Sequence, residues 1–241
     1  MSRDRIYSKT PTSEGAFEFN EAVAEVFPDM LRRSIPGYGA SIRAIQALAQ
    51  QYVQQDSLCY DLGCSLGAAT MAMRQGIAVT GCRIIAIDRA AAMVSRCEAI
   101  IAQDETHIPV DVVAEDIRAT NIVNASMVVM NYTLQFLPIE ERQPMIGKIA
   151  AGMRPGGVFV LSEKVVDEDP GIEAVLTDLH HNFKRQQAYS ELEIARKRAA
   201  IENVLVPESI ATHMQRMRSA GFQHVGIWLR YFNFVSLVAI R

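Results

Sequence analysis

Acidic residues that close short apolar runs, and glycines that follow the first of them, are the residues best suited to bind a small molecule. They are Asp61, Gly63, Gly67, Asp88 and Asp116. A carboxylate at the carboxyl end of a parallel strand faces the ligand crevice of an open α/β sheet. Glycines in the turn that follows allow a ligand to approach the backbone N–H groups closely. The spacing predicts a site that accepts hydrogen bonds from hydroxyl and amino groups.

The glycine turn has the pattern D-x-G-x-x-x-G over residues 61–67. The third glycine of G-x-G-x-x-G is missing, so a dinucleotide pyrophosphate cradle is not indicated. The pattern resembles motif I of class I S-adenosylmethionine-dependent methyltransferases, in which this turn lies along the amino-acid part of the cofactor. A tight turn between a strand and a helix, with no ligand, is the alternative interpretation.

Two further acids fit the nucleoside part of such a cofactor. Asp88 lies 25 residues after Gly63 (88 − 63), close to the offset of roughly 20 residues at which a carboxylate meets a ribose. Its alternative role is the N-cap of a helix predicted over 90–101. Asp116 can accept from an adenine amine while Ile117 offers apolar contact and its backbone N–H, and the pair resembles the D-[IVLF] adenine step of the same methyltransferases.

Asn131 and Tyr38 are candidates for the reacting end of the site. Asn131 closes the apolar run 125–131, where methyltransferases of this class place a group facing the reactive methyl, and its amide needs partners if it is buried. Tyr38 falls in a predicted loop at 36–39, between N-terminal helices that can cover the cleft. It either packs within the loop or closes over a ligand.

The apolar periodicity predicts the elements that must position these residues. Strands are predicted at 58–62, 82–88, 110–116, 125–131 and 158–162, alternating with helices, and an antiparallel strand pair at 224–229 and 232–240. The expected fold is therefore α/β, a doubly wound, Rossmann-like class I methyltransferase sheet with a C-terminal antiparallel strand pair and added N-terminal helices. Residues 1–241 are expected to form one domain.

The regions at either side of the predicted sheet carry helices. The first 19 residues are expected to form an extended lead-in, followed by a helix from Glu21 that Pro28 interrupts. Helices over 176–204 are predicted to break near Ser190, which can cap the second of them. The pairs Glu193–Lys197 and Arg198–Glu202 have the i,i+4 spacing of a solvated helix face.

Composition excludes several classes of function. The chain has 241 residues, 49% of them hydrophobic, and a net charge of −3, which argues against a broad nucleic-acid-binding face. Four cysteines include no C-x-x-C and no histidine lies at finger spacing, so no metal site is expected and the thiols are read as reduced. Without a signal peptide or an apolar run of about 20 residues, we expect a cytoplasmic protein that does not enter a membrane.

Six segments together resemble the carboxy-S-adenosyl-L-methionine synthase family over nearly the whole chain. They are residues 25–30, 33–38, 60–70, 131–137, 183–185 and 189–194. The resemblance implies conversion of S-adenosyl-L-methionine and prephenate into carboxy-S-adenosyl-L-methionine and phenylpyruvate by a homodimer. It also implies a partner enzyme that uses the product to make 5-carboxymethoxyuridine (cmo5U) at the tRNA wobble position.

The resemblance also assigns residues. The positions that match the family's nucleoside and amino-acid contacts are Tyr38, Gly63, Cys64, Ser65, Asp88, Arg89, Asp116, Ile117 and Asn131. Arg89 stands where a smaller polar residue is familiar, although a backbone contact there would survive the change. Arg198 matches the residue that holds the added carboxylate and is the catalytic candidate. A guanidinium beside a sulfonium is repulsive in a dry cleft unless an anion lies between them, and arginine can bind a carboxylate through two parallel hydrogen bonds.

The implied mechanism needs no side-chain base. Prephenate loses CO2 and hydroxide as its ring becomes aromatic, the released base deprotonates the cofactor methyl, and the resulting ylide captures CO2. The protein would sequester and position the reactants. Two alternatives remain at this stage, an ordinary small-molecule methyltransferase and a non-catalytic cofactor-binding subunit of a tRNA-modifying complex.

Overall fold

The computed structural model describes residues 3, 4, 6, 18–202 and 204–241, with the side chains of 201 and 202 excepted. Two helices precede the first strand, α1 Glu21–Ser34 and α2 Tyr38–Tyr52. The alternating region consists of β1 Leu58–Leu62, α3 Ala68–Gly76, β2 Arg83–Asp88, α4 Ala91–Ala102, β3 Val110–Ala114, β4 Ala125–Asn131, a 3-10 turn Leu134–Phe136, α5 Ile139–Gly152 and β5 Met153–Val166. The C-terminal region consists of α6 Pro170–Gln186, α7 Glu191–Glu202, β6 Glu208–Ser209, α8 Ile210–Ser219, β7 His224–Tyr231 and β8 Phe234–Ile240. Across these described residues, no helix combines the length and the apolar character that a membrane span requires.

One sheet organises these elements in the order β3-β2-β1-β4-β5-β8-β7, and the short β6 pairs with β5. Strands β1 to β5 run parallel to one another, whereas β8 is antiparallel to both of its neighbours, β5 and β7. The predicted doubly wound α/β fold with a C-terminal antiparallel pair is confirmed. The strand order reverses between β1 and β4, and open α/β sheets bind ligands at such a switch point.

The central strands are covered on both faces, which is why they read as continuous apolar runs. In β4, Val128 and Met130 join a core cluster with α5 and α8, while Met127 and Val129 join a second cluster with α2 and α3. All four side chains are fully buried. This two-sided packing fixes the strand ends that form the crevice.

The N-terminal helices differ from their predicted bounds. α1 continues through Pro28, so the predicted interruption is wrong. A proline removes one helical hydrogen bond, but the buried face formed by Val23, Phe27 and Met30 holds the helix across it. α2 begins at Tyr38, so this residue is helical and not in a loop, and Gly37 at φ 77° occupies the N-cap position.

The strands around the later crossovers also differ from prediction. β3 ends at Ala114, two residues before Asp116. β5 starts at Met153 and runs to Val166, so it extends beyond the predicted strand 158–162 at both ends, and its pairing with β4 has a register irregularity near its start. The two-residue strand β6 was not predicted, since a pair of residues carries no periodicity.

The helix break at 187–190 is confirmed, and a capping box starts α7. Glu193 N donates to Ser190 Oγ at 3.3 Å and Ser190 N donates to Glu193 Oε2 at 2.8 Å. The predicted Glu193–Lys197 pair is wrong, because Lys197 is buried and its Nζ donates to Ser34 Oγ at 2.8 Å. The predicted partner of Arg198, Glu202, has a side chain outside the described residues.

Candidate active site

A cavity of about 550 Å³ opens at the switch point between β1 and β4, a size typical of small-molecule sites. Strand ends of the sheet form its floor, and α1, α2, α6 and α7 form its walls. The sequence-predicted site residues are all brought together in its lining: Tyr38, Gly63, Cys64, Ser65, Asp88, Arg89, Asp116, Ile117, Asn131 and Arg198.

The glycine turn after β1 is shaped by protein neighbours as well as by space for a ligand. Gly63 has φ 85°, and a Cβ there would lie 2.3 Å from Thr133 Oγ1. Gly67 has φ 81°, and a Cβ there would lie 2.7 Å from Cys97 Sγ. Because both positions need positive φ and lack room, glycine is required at each.

Asp88 fixes this turn to the end of β2. Its Oδ2 accepts from Ser65 N at 2.9 Å, and its Oδ1 accepts from Ala90 N at 2.9 Å just before α4. Burial raises the pKa of the carboxyl, against the effect of these backbone donors. Since a carboxylate oxygen can accept more than one hydrogen bond, the side chain can orient the chain and still accept from ligand hydroxyls.

Asp116 is held as a charged group at the rim of the cavity. The Arg118 side chain binds it with Nε to Oδ1 at 2.9 Å and Nη2 to Oδ2 at 2.6 Å, and lowers its pKa to about 2. Arg89 lies close enough to add a smaller lowering effect on the same pKa. Ile117, buried beside it, supplies the adjacent apolar surface.

Two residues of the cavity lining have amide oxygens without a hydrogen-bond partner among the described residues. They are Asn131 Oδ1 and Asn233 Oδ1, both of them buried. A buried acceptor without a partner has lost its hydrogen bonds to water and gains none from the protein, which costs free energy. The ammonium, hydroxyl and amino donors of S-adenosyl-L-methionine fit a cavity lined by such acceptors and by the strand-end carboxylates.

The far end of the cavity is cationic. Side chains from β5, α6 and α7 line it: Lys164, His180, His181, Lys184, Lys197 and Arg198. Desolvation, followed by repulsion from Lys197, Lys164 and Arg198, lowers the pKa of Lys184 to about 7. Such a cluster of positive charge in a half-enclosed site is suited to anionic ligands.

Most of this cationic end was missed by sequence reasoning. Arg198 was predicted there from the family resemblance, but no part in the site was predicted for His180, Lys184 or Lys197. These residues come from separate elements, so no spacing relates them. The available signal was that Lys184 lies in the segment 183–185 that carries the family resemblance.

Arg198 reaches the cavity of its own chain because α7 is pinned to α1. Lys197 Nζ lies 3.5 Å from Asp4 Oδ2 and donates to Ser34, and the Tyr189 hydroxyl also donates to Asp4. Burial and the neighbouring Lys184 lower the pKa of His181, and Arg198 adds to that effect. The guanidinium therefore belongs to the cationic end.

An aromatic wall connects the two ends. Ring centroids of Tyr38 and Tyr132 are 6.4 Å apart, those of Tyr132 and Phe234 are 6.0 Å apart, and those of Phe234 and His180 are 4.8 Å apart. These contacts form an apolar face between the acceptor-lined floor and the cations. Within the described ranges, no group of His, Cys, Asp and Glu is arranged to hold a metal ion.

Comparison with solved structures supports the fold. A putative O-methyltransferase from Nostoc punctiforme aligns with TM-score 0.63 at 14% identity, over 92% of this chain and 60% of that one. Human N-acetylserotonin methyltransferase, solved in complex with SAM, aligns with TM-score 0.62 at 16% identity, over 92% of this chain and 56% of that one. At these identities the likeness concerns the fold alone, that of class I S-adenosylmethionine-dependent methyltransferases.

Sequence comparison is more specific. A family model described as a methyltransferase domain matches residues 59–157. The carboxy-S-adenosyl-L-methionine synthase of Erwinia tasmaniensis is 50% identical over 240 residues, covering 100% of this chain and 98% of that protein. That of Vibrio cholerae is 51% identical over 239 residues, covering 99% and 97%, and that of Pasteurella multocida is 48% identical over 241 residues, covering 100% of both. The chain is therefore an enzyme, a transferase, and it belongs to the carboxy-S-adenosyl-L-methionine synthase family.

Proposed function

We propose that this enzyme moves a carboxyl group from prephenate to the methyl carbon of S-adenosyl-L-methionine. The observation that carries the proposal is the polarity of the cavity, with hydrogen-bond acceptors at one end and Arg198 among lysines at the other. A sulfonium bound alone beside that cationic end would be repelled. An anion between them removes the repulsion, and both prephenate and the carboxylated product supply one.

The reaction balances without an external base. The bond between the prephenate ring and its carboxyl carbon breaks, hydroxide leaves the opposite ring carbon, and the ring becomes that of phenylpyruvate. The hydroxide takes one hydrogen of the methyl group as a proton and becomes water. The methyl carbon then bonds to the released carboxyl carbon, so the products are carboxy-S-adenosyl-L-methionine, phenylpyruvate and water.

The lining residues divide between the parts of S-adenosyl-L-methionine in this proposal. Those that bind its nucleoside and amino-acid parts are Tyr38, Gly63, Cys64, Ser65, Asp88, Arg89, Asp116, Ile117 and Asn131. Arg198 binds the carboxylate that is transferred and is the catalytic residue. The aromatic wall and the N-terminal helices keep water from the methyl group, which matters because water would donate a proton to the hydroxide or to the ylide before the ylide bonds to CO2.

Product analysis tests the proposal directly. Purified enzyme is incubated with S-adenosyl-L-methionine and prephenate, and small molecules are followed by mass spectrometry. We expect a product with the mass of S-adenosyl-L-methionine plus one CO2, formed together with an equal amount of phenylpyruvate. Accumulation of S-adenosylhomocysteine with a methylated acceptor would identify an ordinary methyltransferase and refute the carboxyl transfer.

The wider setting follows from the same proposal. A partner enzyme would use the product to form the wobble uridine cmo5U in tRNA, while this chain, with its net charge of −3, does not bind nucleic acid itself. Residues 1–241 would act as one domain in a cytoplasmic homodimer.

The four free cysteines fit a reducing compartment. For the dimer, the exposed apolar residues of α6, Ile172, Val175 and Leu179, supply a surface for a second copy.

A further inference from the structure

Lys184 is a cation whose position has no structural explanation within the protein. Its residue is only 9% exposed and lines the cavity. Across residues 18–202 and 204–241, no hydrogen bond or ion pair is found for its ammonium, and the charged groups that act on it are the cations Lys197, Lys164 and Arg198. Burying an ammonium among like charges is unfavourable, and an anionic ligand beside Lys184 would stabilise its charged form.

Neighbouring groups do not supply that offset. Glu173 is the acid that α6 contributes to the lining, and its carboxylate accepts from Asp167 N at 2.8 Å and Thr177 Oγ1 at 3.1 Å. His180 adds no negative charge, and its Nε2 lies 2.9 Å from the Ser34 backbone oxygen, which requires the ring to donate there. The site around Lys184 therefore has donors for an anion and an adjacent neutral imidazole.

The surface beside Lys184 is aromatic and apolar. Phe234 contacts both His180 and Tyr132 by its ring edge or face. Asn233, the residue before Phe234, has a buried amide oxygen with no partner among the described residues. A flat six-membered ring fits against this wall, and a hydroxyl on that ring can donate to Asn233. Cations beside an aromatic surface suit an acid that carries a ring and two carboxylates.

We infer that Lys184, together with Lys164 and the Tyr132–Phe234 wall, is the binding subsite for the 2-oxo acid side chain of the second substrate. Arg198 would hold the carboxylate that is transferred, and Lys184 the one that stays on the acid. The inference rests on the proposed function and adds to it the residues that select a dianion over a monoanion.

The test compares three variants with the wild type. Lys184→Met removes the charge and keeps the length of the stem, Lys184→Arg keeps the charge, and Arg185→Met is the matched control. Arg185 is the next residue of α6, is exposed, and does not line the cavity. Its Nε lies 2.5 Å from Glu191 Oε1. Initial rates are measured against prephenate, and S-adenosyl-L-methionine binding and thermal unfolding are measured in parallel.

We expect Lys184→Met to raise the KM for prephenate by about 10- to 100-fold, the range for a lost charge-assisted hydrogen bond. Its affinity for S-adenosyl-L-methionine should stay within about twofold and its Tm should be unchanged or higher, since a buried unpaired cation is removed. The KM of Lys184→Arg for prephenate should fall between those of the wild type and Lys184→Met, and the KM of Arg185→Met should match that of the wild type. An unchanged KM, or a KM effect accompanied by a lower Tm and weaker cofactor binding, would overturn the inference.

A binding measurement separates this inference from the proposed function. Phenylpyruvate is titrated calorimetrically into wild-type enzyme and into Lys184→Met, each saturated with S-adenosylhomocysteine. If the wild type forms no carboxylated product but binds phenylpyruvate through Lys184, the proposed reaction fails and the subsite remains. If the two proteins bind phenylpyruvate equally, or neither binds it, the subsite is wrong whatever the reaction is.

Discussion

Replacing Asp4 by asparagine tests how the helix that carries Arg198 is held over the cavity. Asp4 is 2% exposed, accepts from the Tyr189 hydroxyl, and lies 3.5 Å from Lys197 Nζ. Its backbone oxygen also accepts from Arg33 Nη1 at 3.1 Å, a contact that asparagine keeps. The substitution therefore removes one charge from a buried network and changes its shape little.

The magnitude depends on what Lys197 does in the variant. If its ammonium stayed charged, an unpaired buried cation would cost about 3–5 kcal/mol. Releasing the proton costs less, because desolvation lowers the pKa of Lys197 to about 8 in spite of Asp4, and one pKa unit above pH 7 corresponds to about 1.4 kcal/mol. The weaker hydrogen bond from Tyr189 adds about 1 kcal/mol. We expect the free energy of unfolding to fall by about 2–3 kcal/mol at pH 7.

The sign of the pH dependence follows from the same numbers. The folded-state pKa of Lys197, about 8, lies below the ordinary lysine value of 10.5. At pH 9 the wild-type side chain is therefore already mostly neutral, and removal of Asp4 no longer forces a proton off. The destabilisation by Asp4→Asn should shrink to about 1 kcal/mol at pH 9.

Urea unfolding at pH 7 and pH 9 measures these differences, and calorimetric titration of carboxy-S-adenosyl-L-methionine measures the effect on Arg198. Product affinity should fall about tenfold, since the attachment of α7 to α1 through Asp4 is weakened and the hydrogen bond from Lys197 to Ser34 remains. The matched control is Asp111→Asn, whose pair with Arg83 at 2.6 Å is about half exposed on both sides and should cost below about 1 kcal/mol. A loss at Asp4 no larger than at Asp111, or one that grows at pH 9, would refute the reasoning.

Three further substitutions test the site and its surroundings. Arg198→Ala should weaken binding of carboxy-S-adenosyl-L-methionine by about 10- to 100-fold and leave S-adenosyl-L-methionine binding within about threefold, measured by calorimetry against Arg185→Ala; equal losses for both ligands would contradict a carboxylate role. Asn131→Ala should reduce cofactor affinity without lowering the free energy of unfolding, because the buried amide oxygen has no partner among the described residues. Burial lowers the pKa of His213 from 6.5 to about 4, so its contribution to stability is present above pH 6.5 and is lost as the pH falls, by about 2 kcal/mol between pH 7 and 5. His213→Asn should remove that part of the loss, measured against the wild type by urea unfolding at both pH values. An identical pH dependence of the two proteins would contradict this assignment.

Local sequence pattern was sufficient for the parts of the fold that depend on burial on both faces. The bounds of β1 and β4 were predicted to the residue, because a strand covered on both faces has to be apolar throughout. Asp61, Asp88 and Asn131 were predicted at strand ends for the same reason. The βα order then brings these strand ends to one edge of the sheet, so these three acceptors were predictable from spacing. Asn233 was not predicted, and Cys64, Ser65 and Arg89 were assigned only through the family resemblance.

Tertiary contacts decided what local pattern did not. Pro28 stays helical because the buried face of α1 is held against its neighbours, and Tyr38 is the first residue of α2 because Gly37 adopts φ 77° before it. Lys197 has the spacing of a surface residue, yet it is buried against Asp4, 193 positions away (197 − 4). No short stretch of sequence contains both partners of such a pair, so the Lys197–Asp4 contact and the cationic end could not be derived from periodicity.

The two halves of the cavity differ in where they come from in the chain, and this bears on how the enzyme selects its reaction. The region that matches the general methyltransferase domain, residues 59–157, supplies the glycine turn and the strand-end acceptors. The cations of β5, α6 and α7 all lie after residue 157. The first half adds the cation Arg89, which acts on the carboxylate of Asp116. The second half concentrates lysines and Arg198, which repel a sulfonium unless an anion lies between them. In the proposed reaction, selection for carboxyl transfer would therefore come from the C-terminal segment, and a change at Lys184 or Arg198 should alter the choice of acid before it alters cofactor binding.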